Sequence, residues 1–528
     1  MYWQGSEILL TKFPLLRKDI KAIDRYFQQR NYQAGTIFEL RTAAALTGVS
    51  ESELKVILDK GVEIGMLNPI FKLECVNRRG TCYKQNTPFS FPLTLPCDQC
   101  DEDHEFMEND VIVSYQLNMD IAKGSDLEEV PQPPIDCNIS KGETSSIRKE
   151  MHVMRWVSQS RSYFRKNEQF KNTTFLVVLH FLKDLLYFLE VCTQFGLQPE
   201  NTYLFYKPYF YPDRERIVSC LKEKNYQVFR LDQYQDVLDS LKARSVKPII
   251  ILEDGGYLVQ SLHEERFQAL VSNTLGAVEQ TTQGIRKDKE IDLAIPVLNV
   301  AECKPKTEIE PRYVADAVVR NLQNLLTGKQ LIGKRIGLLG FGNIGQAIAE
   351  ALSNKMNVSV FDPDPLRQQS ARDRTFNVER NSIDLVKDKY MVIGCSGVTS
   401  IGRDEILNLK NGTYLVSATS DRREIGFEEL ESLSTEVTRW IVDNKAIGTI
   451  YSIQDNEIRL VADGYPINFW FSESMPNTIS DVILSIILAS ALSIAQNGGK
   501  YAPGIHDVDS IITESEVFKV FNSFQGRG

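Results

Sequence analysis

The stretch Lys334-Arg-Ile-Gly-Leu-Leu-Gly-Phe-Gly-Asn-Ile-Gly345 decides the fold of the larger part of this chain. It begins with an apolar run typical of a buried strand, and the next residues, Gln346-Ala-Ile-Ala-Glu-Ala-Leu352, have the periodicity of a helix. The three glycines between them, Gly340, Gly342 and Gly345, therefore lie in a strand-to-helix turn. There the first glycine allows a tight bend, the second lets the backbone approach a pyrophosphate, and the third lets the helix pack closely. The pattern predicts a Rossmann-type dinucleotide site in an α/β fold.

The second strand indicates which dinucleotide this site binds. Asn357-Val-Ser-Val-Phe361 is followed by Asp362, an acid where a carboxylate binds ribose hydroxyls and repels a 2′-phosphate. NAD is therefore favoured over NADP, although Arg367 is a nearby cation that could hold such a phosphate. Asn343 and Ile344 begin the helix whose N-terminal amides are expected to face the pyrophosphate. The alternative is that the glycines form only a turn between strand and helix.

Length and composition limit the class of protein. A chain of 528 residues is too long for a single hydrophobic core, so we expect three or more modules. The net charge of −10 argues against broad electrostatic attraction to nucleic acid or to a membrane surface. The start of the chain does not resemble a signal peptide, and the apolar run Val482–Ala495 is shorter than a membrane span, so it predicts a buried helix. Nine cysteines, an odd number, suit a reducing cytoplasm, where we expect the protein to reside.

The N-terminal residues 1–74 have the pattern of a winged helix. Helical periodicity over Ile37–Thr47 is followed by a capping box from Ser50 to Glu53, which opens a second helix through Gly61, and then by the strand-like Ile70-Phe-Lys-Leu73. Residues 1–96 hold 13 Lys and Arg against 9 Asp and Glu, yet the candidate recognition helix itself is net negative. A protein partner is therefore favoured over nucleic acid for this module.

Residues 75–118 are predicted to form a zinc-ribbon-like module. Its four candidate ligands are Cys75, Cys82, Cys97 and Cys100, and His104 follows closely. The second pair has the CxxC spacing that lets two thiolates reach one tetrahedral zinc ion, whereas the first pair is spaced more widely. The alternative is four unrelated thiols. The Asp-, Glu- and Pro-rich residues 119–145 are predicted to be a linker.

Helices and short β-branched strands alternate in the remainder of the chain, which predicts parallel sheets. The predicted elements of the first part are a helix over Thr173–Phe195 and strands over Tyr203–Tyr206, Tyr226–Leu231 and Val246–Leu252. We assign residues 146–310 to a second α/β domain of the substrate-binding type and 311–475 to the Rossmann NAD domain. Residues 476–500 are predicted to return as a helix to the first of these domains, and 501–528 form a tail.

Further motifs occur in a fixed order on both sides of the glycine turn. They are Val178-Leu-His180, Leu252-Glu-Asp-Gly-Gly256, Glu279-Gln-Thr-Thr-Gln-Gly284, Pro296-Val-Leu-Asn-Val300, Val392-Ile-Gly-Cys-Ser-Gly397 and Leu409-Lys-Asn-Gly-Thr-Tyr-Leu415. With this order and spacing, the chain resembles the S-adenosylhomocysteine hydrolase (adenosylhomocysteinase) family over roughly residues 170–497.

The resemblance implies a two-domain cleft in which NAD is recycled. In that family NAD oxidises the ribose 3′-hydroxyl, a thiol is eliminated, water adds, and the ketone is reduced again. The resemblance places His180, Asp254, Lys306 and Glu310 at catalytic or ribose-binding positions. It places Thr281, Thr282, the three glycines, Asp362 and Asn468 at cofactor-binding positions. It also implies an adenosine-like ligand and a homo-oligomer.

Several positions depart from the family pattern. Gln280 replaces a catalytic glutamate and cannot take up a proton, and Pro311 replaces an asparagine. Ser420 and Met475 stand where the family has histidines, and the tail Glu514–Gly528 lacks the family's lysine and tyrosine. These changes predict an NAD-binding protein impaired in or divergent from S-adenosylhomocysteine hydrolysis, acting as a sensor or scaffold or on a related nucleoside.

Alternative functions follow from the same residues. The chain could be an active hydrolase of S-adenosylhomocysteine or a related thioether nucleoside, or an NAD-responsive DNA-binding regulator. Leu331–Gly340 also resembles D-2-hydroxyacid dehydrogenases, although the one late histidine is His506.

The candidate catalytic residues also have purely structural interpretations. His180 could be a core histidine bonded to backbone, and Asp254 could cap a turn. Lys306 and Glu310 could form a solvated helix pair.

Overall fold

The computed structural model describes most of the chain after residue 141 and separate stretches before it. The described residues are 9, 19–20, 22–23, 26–27, 37–47, 49–63, 66–75, 81–86, 89, 93–97, 100, 102–107, 110–117, 139, 141–160, 163–164, 168–207, 209, 211, 213–243, 247–326, 329–419, 422–442, 445–470, 472–497 and 501–525. The chain divides into two compact units, residues 1–130 with 438–449 and residues 131–437 with 450–528.

Between residues 37 and 117, the described part of the N-terminal unit includes two helices and antiparallel strands. Its described elements are β1 (Ile37–Glu39), α1 (Leu40–Thr47), α2 (Glu51–Glu63), β2 (Leu67–Glu74), β3 (Thr81–Gln85), β4 (Leu93–Cys97), β5 (Glu102–Phe106) and β6 (Val111–Leu117). One sheet has the order β1-β6-β2-β3, and β4 and β5 form a separate hairpin. The capping box is present, because the Glu53 amide donates to Ser50 Oγ and the Ser50 amide to the Glu53 carboxylate. The winged-helix interpretation stays a prediction.

The second unit begins with a doubly wound α/β domain. Its elements are α3 (Lys141–Glu150), α4 (His152–Gln159), β7 (Thr174–Val177), α5 (Lys183–Thr193), β8 (Thr202–Tyr206), α6 (Arg214–Glu223), β9 (Gln227–Arg230), α7 (Tyr234–Lys242), β10 (Ile249–Glu253), α8 (Leu258–Leu262), α9 (Gln268–Val271), β11 (Thr274–Glu279), α10 (Thr282–Asp288) and β12 (Pro296–Asn299). The parallel sheet has the order β12-β11-β10-β7-β8-β9, so the strand order reverses between β7 and β10.

The Rossmann domain follows a single π-helical turn over Pro305–Ile309. Its elements are α11 (Glu310–Leu325), β13 (Arg335–Leu339), α12 (Asn343–Ser353), β14 (Asn357–Phe361), α13 (Pro365–Asp373), β15 (Asn377–Val378), α14 (Ser382–Val386), β16 (Met391–Gly394), α15 (Arg403–Leu407), β17 (Tyr414–Ser417), α16 (Phe427–Leu433) and β20 (Asn456–Val461). Strands β18 (Glu436–Val442) and β19 (Lys445–Ile453) precede β20 in the sequence, and their residues 438–449 belong to the first compact unit. The order β15-β14-β13-β16-β17-β20 is the 3-2-1-4-5-6 arrangement of dinucleotide-binding domains. The predicted α/β fold with a Rossmann domain is confirmed.

The C-terminal residues complete the first sheet. They form α17 (Asn477–Asn497), β21 (Gly504–Asp507), α18 (Asp509–Ser515) and α19 (Val517–Gln525). Strand β21 pairs in parallel with β12, so part of the predicted tail belongs to the substrate-type domain. Helix α17 packs against β10 and β11. Within the described residues, α17 is the one helix that is both long enough and apolar enough to cross a membrane. However, 83% of its most apolar 18-residue segment is buried inside the protein.

Three predicted boundaries were wrong. Thr173–Phe195 is not one helix, because Thr174–Val177 is a fully buried strand and the helix begins at Lys183. A short run buried on both faces lacks alternation, so periodicity does not distinguish it from a helix. Ile37–Glu39 pairs with β6 and is a strand rather than the start of a helix. The last predicted linker residues, from Lys141, belong to helix α3.

Candidate functional site

The candidate site lies at the carboxyl ends of the parallel strands. A cavity of about 320 Å³ is lined by residues of both α/β domains, including His180, Asp254, Lys306 and Gly342. His180 follows β7 and Asp254 follows β10, the two strands between which the order of the first sheet reverses. Crevices at such reversal points are where doubly wound proteins bind ligands. The fold therefore brings residues from distant parts of the sequence into one pocket.

Asp254 is the centre of the polar network in this pocket. Its carboxylate is buried and forms an ion pair with the buried ammonium group of Lys207. The other oxygen, Oδ2, lies 3.0 Å from His180 Nε2 and accepts a hydrogen bond of 2.7 Å from Gln280 Nε2. Burial opposes ionisation of Asp254, but His180 and Lys207 outweigh it and hold the pKa of this carboxyl well below its usual range. Asp254 is thus a fixed anion and not merely the cap of a turn.

His180 is held from both sides of its ring. Its Nδ1 lies 2.6 Å from the Tyr211 hydroxyl, and its Nε2 faces Asp254. The Phe469 ring centroid lies 4.3 Å from the centroid of the imidazole. The side chain is 21% exposed and lines the cavity. His180 is therefore a pocket residue bonded to side chains, and the alternative of a backbone-bonded core histidine was wrong.

Lys306 and Glu310 form a second ionic pair at the pocket. The Lys306 ammonium lies 2.6 Å from Glu310 Oε2, and the two side chains are only 15% and 11% exposed. The solvated pair that spacing alone allows was therefore wrong. Burial disfavours the charge on Lys306, but the Glu310 carboxylate outweighs it and raises the lysine's pKa. Lys306 is thus a cation at neutral pH.

Three acids, Glu253, Glu279 and Asp288, are buried on or next to helices α8 and α10. Glu253 accepts hydrogen bonds from the amides at the start of α8, and Glu279 accepts them from Gly255, Gly256 and Thr281. Burial, followed by the charge of Glu253, raises the pKa of Glu279 well above its usual range.

The third acid, Asp288, gives stability a pH dependence that can be measured. Burial, followed by the charge of Glu253, raises the pKa of Asp288 from 3.8 to about 7. Between these values the folded protein holds a proton that the unfolded chain has released. The stabilisation that this proton gives the folded state is therefore fully present below the pKa of Asp288 in the unfolded chain, and it is lost as pH rises through about 7. One carboxyl oxygen of Asp288 has no hydrogen-bond partner among the described residues, so an amide fits in its place.

We expect Asp288→Asn to remove this loss. The free energy of unfolding of the variant, relative to the parent, should increase with pH between about 4 and 7, by up to about 1.4 kcal/mol per pH unit. Urea denaturation across this range measures it. Asp292→Asn, at an exposed position nearby, is the control and should give a flat difference. A flat difference for Asp288→Asn as well would contradict the assignment.

The glycine turn leaves no room for side chains at two positions. Gly340 has a φ of +97°, and a Cβ there would lie 2.8 Å from the Ser396 backbone. A Cβ on Gly345 would lie 2.1 Å from the Gly340 carbonyl oxygen. Gly342 is different, since a Cβ there would meet only Arg367, at 3.7 Å. Gly342 is the N-cap of α12 and lines the cavity together with Asn343 and Ile344. The first residues of α12 are therefore open to a ligand's phosphates.

Asp362 lies at the end of β14, as predicted. Its Oδ2 accepts a 2.7 Å hydrogen bond from the Phe341 amide, and Arg367 Nη1 lies 3.4 Å from the same oxygen. Asp362 also accepts from the Asp364 amide, so the carboxylate is fixed beside the glycine turn. Because Arg367 is paired with Asp362, its charge is partly neutralised, which is consistent with NAD rather than NADP.

The opposite wall carries the remaining predicted cofactor residues. Thr281 Oγ1 caps α10 by accepting from the Gly284 amide, and Thr282 lines the cavity. Asn468 donates to Ser474, but its Oδ1 is buried without a hydrogen-bond partner in the described part of the chain. Such a buried, unpaired acceptor on a cavity wall fits a polar ligand group. Together with the open helix N-terminus, it shows that the site can hold NAD.

Sequence reasoning did not identify several residues of this site. They are Lys207, Tyr211, Arg286, Asp184 and Glu473. The position of Lys207 could have been inferred from the sequence. Lys207 immediately follows β8, and because β8 neighbours β7, it must lie at the same edge of the sheet as His180. Pro311 and Met475 line the cavity, whereas Ser420 lies outside the described residues.

The predicted metal ligands lie in the N-terminal unit. Cys75, Cys97 and Cys100 converge there, and His104 joins them. The side chain of Cys82 lies outside the described residues.

Parts of the chain are similar to known proteins. Residues 307–418 match the family described as D-isomer specific 2-hydroxyacid dehydrogenase, NAD binding domain. Adenosylhomocysteinase from Thermotoga maritima is 27% identical over 316 residues, which are 57% of this chain and 76% of the relative. S-inosyl-L-homocysteine hydrolase from Methanocaldococcus jannaschii is 24% identical over 386 residues, 71% of this chain and 90% of the relative. Among solved structures, phosphoglycerate oxidoreductase from Vibrio cholerae matches at 11% identity with a TM-score of 0.31, over 49% of this chain and 79% of its own.

The fold and the site define an NAD-binding protein built from two doubly wound α/β domains. The cofactor wall retains the glycine turn, the acid after the second strand and the threonines of the facing helix. Over most of these two domains the chain is similar to adenosylhomocysteinases and S-inosyl-L-homocysteine hydrolases, at 24–27% identity.

Proposed function

We propose that this protein binds NAD and a nucleoside ligand in the same pocket, as a sensor or scaffold, and hydrolyses thioether nucleosides far more slowly than relatives with glutamate at position 280. The observation that carries the proposal is the Gln280 side chain. Its amide donates to Asp254 at 2.7 Å and does not ionise near neutral pH, so it cannot act as an acid or a base there.

The neighbouring groups do not replace the missing proton carrier. Asp254 is a poor base because its pKa is well below the usual range. Both ring nitrogens of His180 already face partners, Tyr211 on one side and Asp254 on the other. Lys306 stays protonated beside Glu310. The pocket can therefore position hydroxyl groups but has little capacity to move protons near pH 7.

The same groups support binding of a ribose. The carboxylate of Asp254, the imidazole of His180 and the ammonium of Lys306 all line one cavity. Bound NAD supplies reversible oxidation of a ribose hydroxyl, and these side chains would hold that ribose in place.

The part of the cavity next to α5 suits an uncharged base as the remainder of the ligand. Asp184 is buried in the first turn of α5, and burial raises its pKa. Burial and the charge of Asp184 raise the pKa of Glu473, which lines the same cavity. Carboxyl oxygens accept hydrogen bonds, which suits the amino and ring N–H groups of a purine edge.

The dehydrogenase alternative has less support. His506, the late histidine, bonds to the Ala502 carbonyl and is not among the residues that line the cavity. Activity toward 2-hydroxyacids would therefore need a different proton carrier.

The function can be tested on the purified full-length chain. Mass spectrometry of the denatured protein measures copurified NAD, and calorimetry measures binding of S-adenosylhomocysteine and S-inosyl-L-homocysteine. Thiol release measures hydrolysis. We expect bound NAD, saturable nucleoside binding and very slow thiol release. Rapid hydrolysis by the unmodified chain would overturn the proposal, as would a failure to bind NAD.

Gln280→Glu is expected to increase the rate of thiol release by at least about 10-fold, since one general acid–base group contributes roughly 10²–10⁴. The new carboxyl would lie next to Asp254, and this like charge should raise its pKa toward neutrality. The rate of the variant should therefore acquire a pH dependence that the parent lacks. Gln268→Glu makes the same chemical change at an exposed position and should leave the rate unchanged. If Gln280→Glu binds the nucleoside but gains no activity, Gln280 is not the group that limits hydrolysis.

A further inference from the structure

Four metal-binding side chains converge in the N-terminal unit, in the part of the chain that precedes the NAD-binding region. The ligand atoms of Cys75, Cys97, Cys100 and His104 all lie within 4.8 Å of one another. Cys75 Sγ lies 3.6 Å from Cys100 Sγ and 3.5 Å from His104 Nε2. Cys100 Sγ lies 3.1 Å from the same nitrogen.

The two separations from Cys75, 3.6 and 3.5 Å, match the edges of a small coordination tetrahedron. With zinc–sulfur bonds of about 2.3 Å and zinc–nitrogen bonds of about 2.0 Å, tetrahedral ligands lie roughly 3.5–3.8 Å apart. A disulfide is excluded for Cys75 and Cys100, because bonded sulfurs lie about 2.05 Å apart. The cluster therefore has the size of a site for one metal ion.

The local fold builds the cluster from two elements. Cys75 follows strand β2, and the hairpin of β4 and β5 supplies the other three side chains. The Cys100 amide donates to the Cys97 carbonyl at 3.3 Å, which closes the turn of the CxxC sequence. In the hairpin register His104 lies opposite Leu95, two residues before Cys97 on the facing strand. The hairpin thus presents its three ligands toward the end of β2.

The surroundings favour a structural role. Three of the four side chains are buried, and the adjacent apolar cluster is small. Among the described residues its buried members are Leu73, Cys75, Cys97 and Phe106, with five partly buried side chains packed against them. A core of this size does not supply enough hydrophobic free energy to fix a hairpin by itself, and small modules commonly use a metal for this purpose.

We propose that Cys75, Cys97, Cys100 and His104 bind one structural zinc ion. Three thiolates and an imidazole form a ligand set preferred by zinc over hard ions such as magnesium and calcium. Because four protein ligands complete the tetrahedron, the site has no open position for a substrate. The spacing of cysteines in the sequence suggests Cys82 as the fourth ligand, whereas the structure assigns His104.

Metal analysis of full-length variants tests this assignment. The purified parent is expected to contain about one zinc per chain, and the Cys97→Ser/Cys100→Ser and His104→Ala variants should lose most of it. Cys82→Ser should retain the zinc, as should Cys220→Ser, a control cysteine in the other unit. Loss of zinc from Cys82→Ser with retention in His104→Ala would overturn the ligand set, and a parent without zinc would overturn the site.

Cobalt substitution keeps the test informative if an alanine variant does not fold. Tetrahedral Co²⁺ bound to thiolates gives characteristic visible absorption, so the parent reconstituted with cobalt should show it. His104→Cys preserves four ligands and is expected to retain cobalt with a shifted spectrum. An unchanged spectrum would show that His104 does not bind the metal.

Discussion

Asp254→Asn is expected to lower the free energy of unfolding by about 3–5 kcal/mol. The substitution leaves the ammonium group of Lys207 buried without its anion, and that side chain is only 1% exposed. A single uncompensated buried charge is among the most destabilising changes a point mutation can make. The amide also disturbs the contacts of His180 and Gln280 with the same carboxylate.

Two further variants distinguish a lost ion pair from general disruption. Lys207→Met combined with Asp254→Asn removes both charges, so the double variant should be more stable than Asp254→Asn alone. Asp316→Asn breaks an exposed pair with Arg320 and should cost no more than about 1 kcal/mol. Urea denaturation measures all three. An Asp254→Asn variant within about 1 kcal/mol of the parent would contradict a buried pair with Lys207.

This network explains why proton chemistry and folding are coupled at the site. Asp254 must be charged to compensate the buried ammonium group of Lys207, so its carboxylate already stabilises the fold before any ligand binds. Gln280 leaves Asp254 charged, since its amide donates a hydrogen bond to the carboxylate without competing for a proton. A glutamate at the same position would bring a second negative charge. Gln280 therefore donates to the network without adding a second negative charge beside Asp254.

The sequence predicted the parts of the site whose signals are local. β13 was predicted from Lys334 and begins at Arg335, and β14 matches its predicted bounds, because strand, glycine turn, helix and terminal acid follow one another within thirty residues. Gly340 and Gly345 are required by backbone sterics alone. Such constraints can be recognised directly from the order of residues in the sequence.

Contacts between distant segments were not predictable in the same way. Lys207 and Tyr211 meet Asp254 and His180 only after the sheet orders β8 beside β7 and β10 beside β7. A lysine usually lies at a solvent-facing position, so the burial of Lys207, which follows β8, is a property of the assembled sheet. The same holds for His104, whose position opposite Leu95 depends on the hairpin register and not on cysteine spacing.

Gly345→Ala is expected to weaken NAD binding by about 10- to 100-fold. Its Cβ would lie 2.1 Å from the Gly340 carbonyl oxygen, and a backbone oxygen in a tight turn cannot move away as a flexible side chain can. Helix α12 must therefore shift, which costs about 1–3 kcal/mol of packing. The same shift moves the N-terminal amides away from the pyrophosphate. Calorimetry on NAD-free protein measures the affinity, and mass spectrometry measures the NAD that copurifies.

A substitution at the neighbouring Gly342 distinguishes weaker NAD binding from a destabilised fold. Gly342→Ala has ordinary space, since its Cβ meets only Arg367 at 3.7 Å, so the thermal midpoint should change little. It nevertheless adds a methyl group where the backbone must approach the phosphates, and NAD affinity should fall. Gly402→Ala is the matched control, because Gly402 is also a helix N-cap of this domain but is not among the residues lining the cavity. If Gly342→Ala and Gly345→Ala bind NAD as tightly as Gly402→Ala, the cofactor does not lie on this turn.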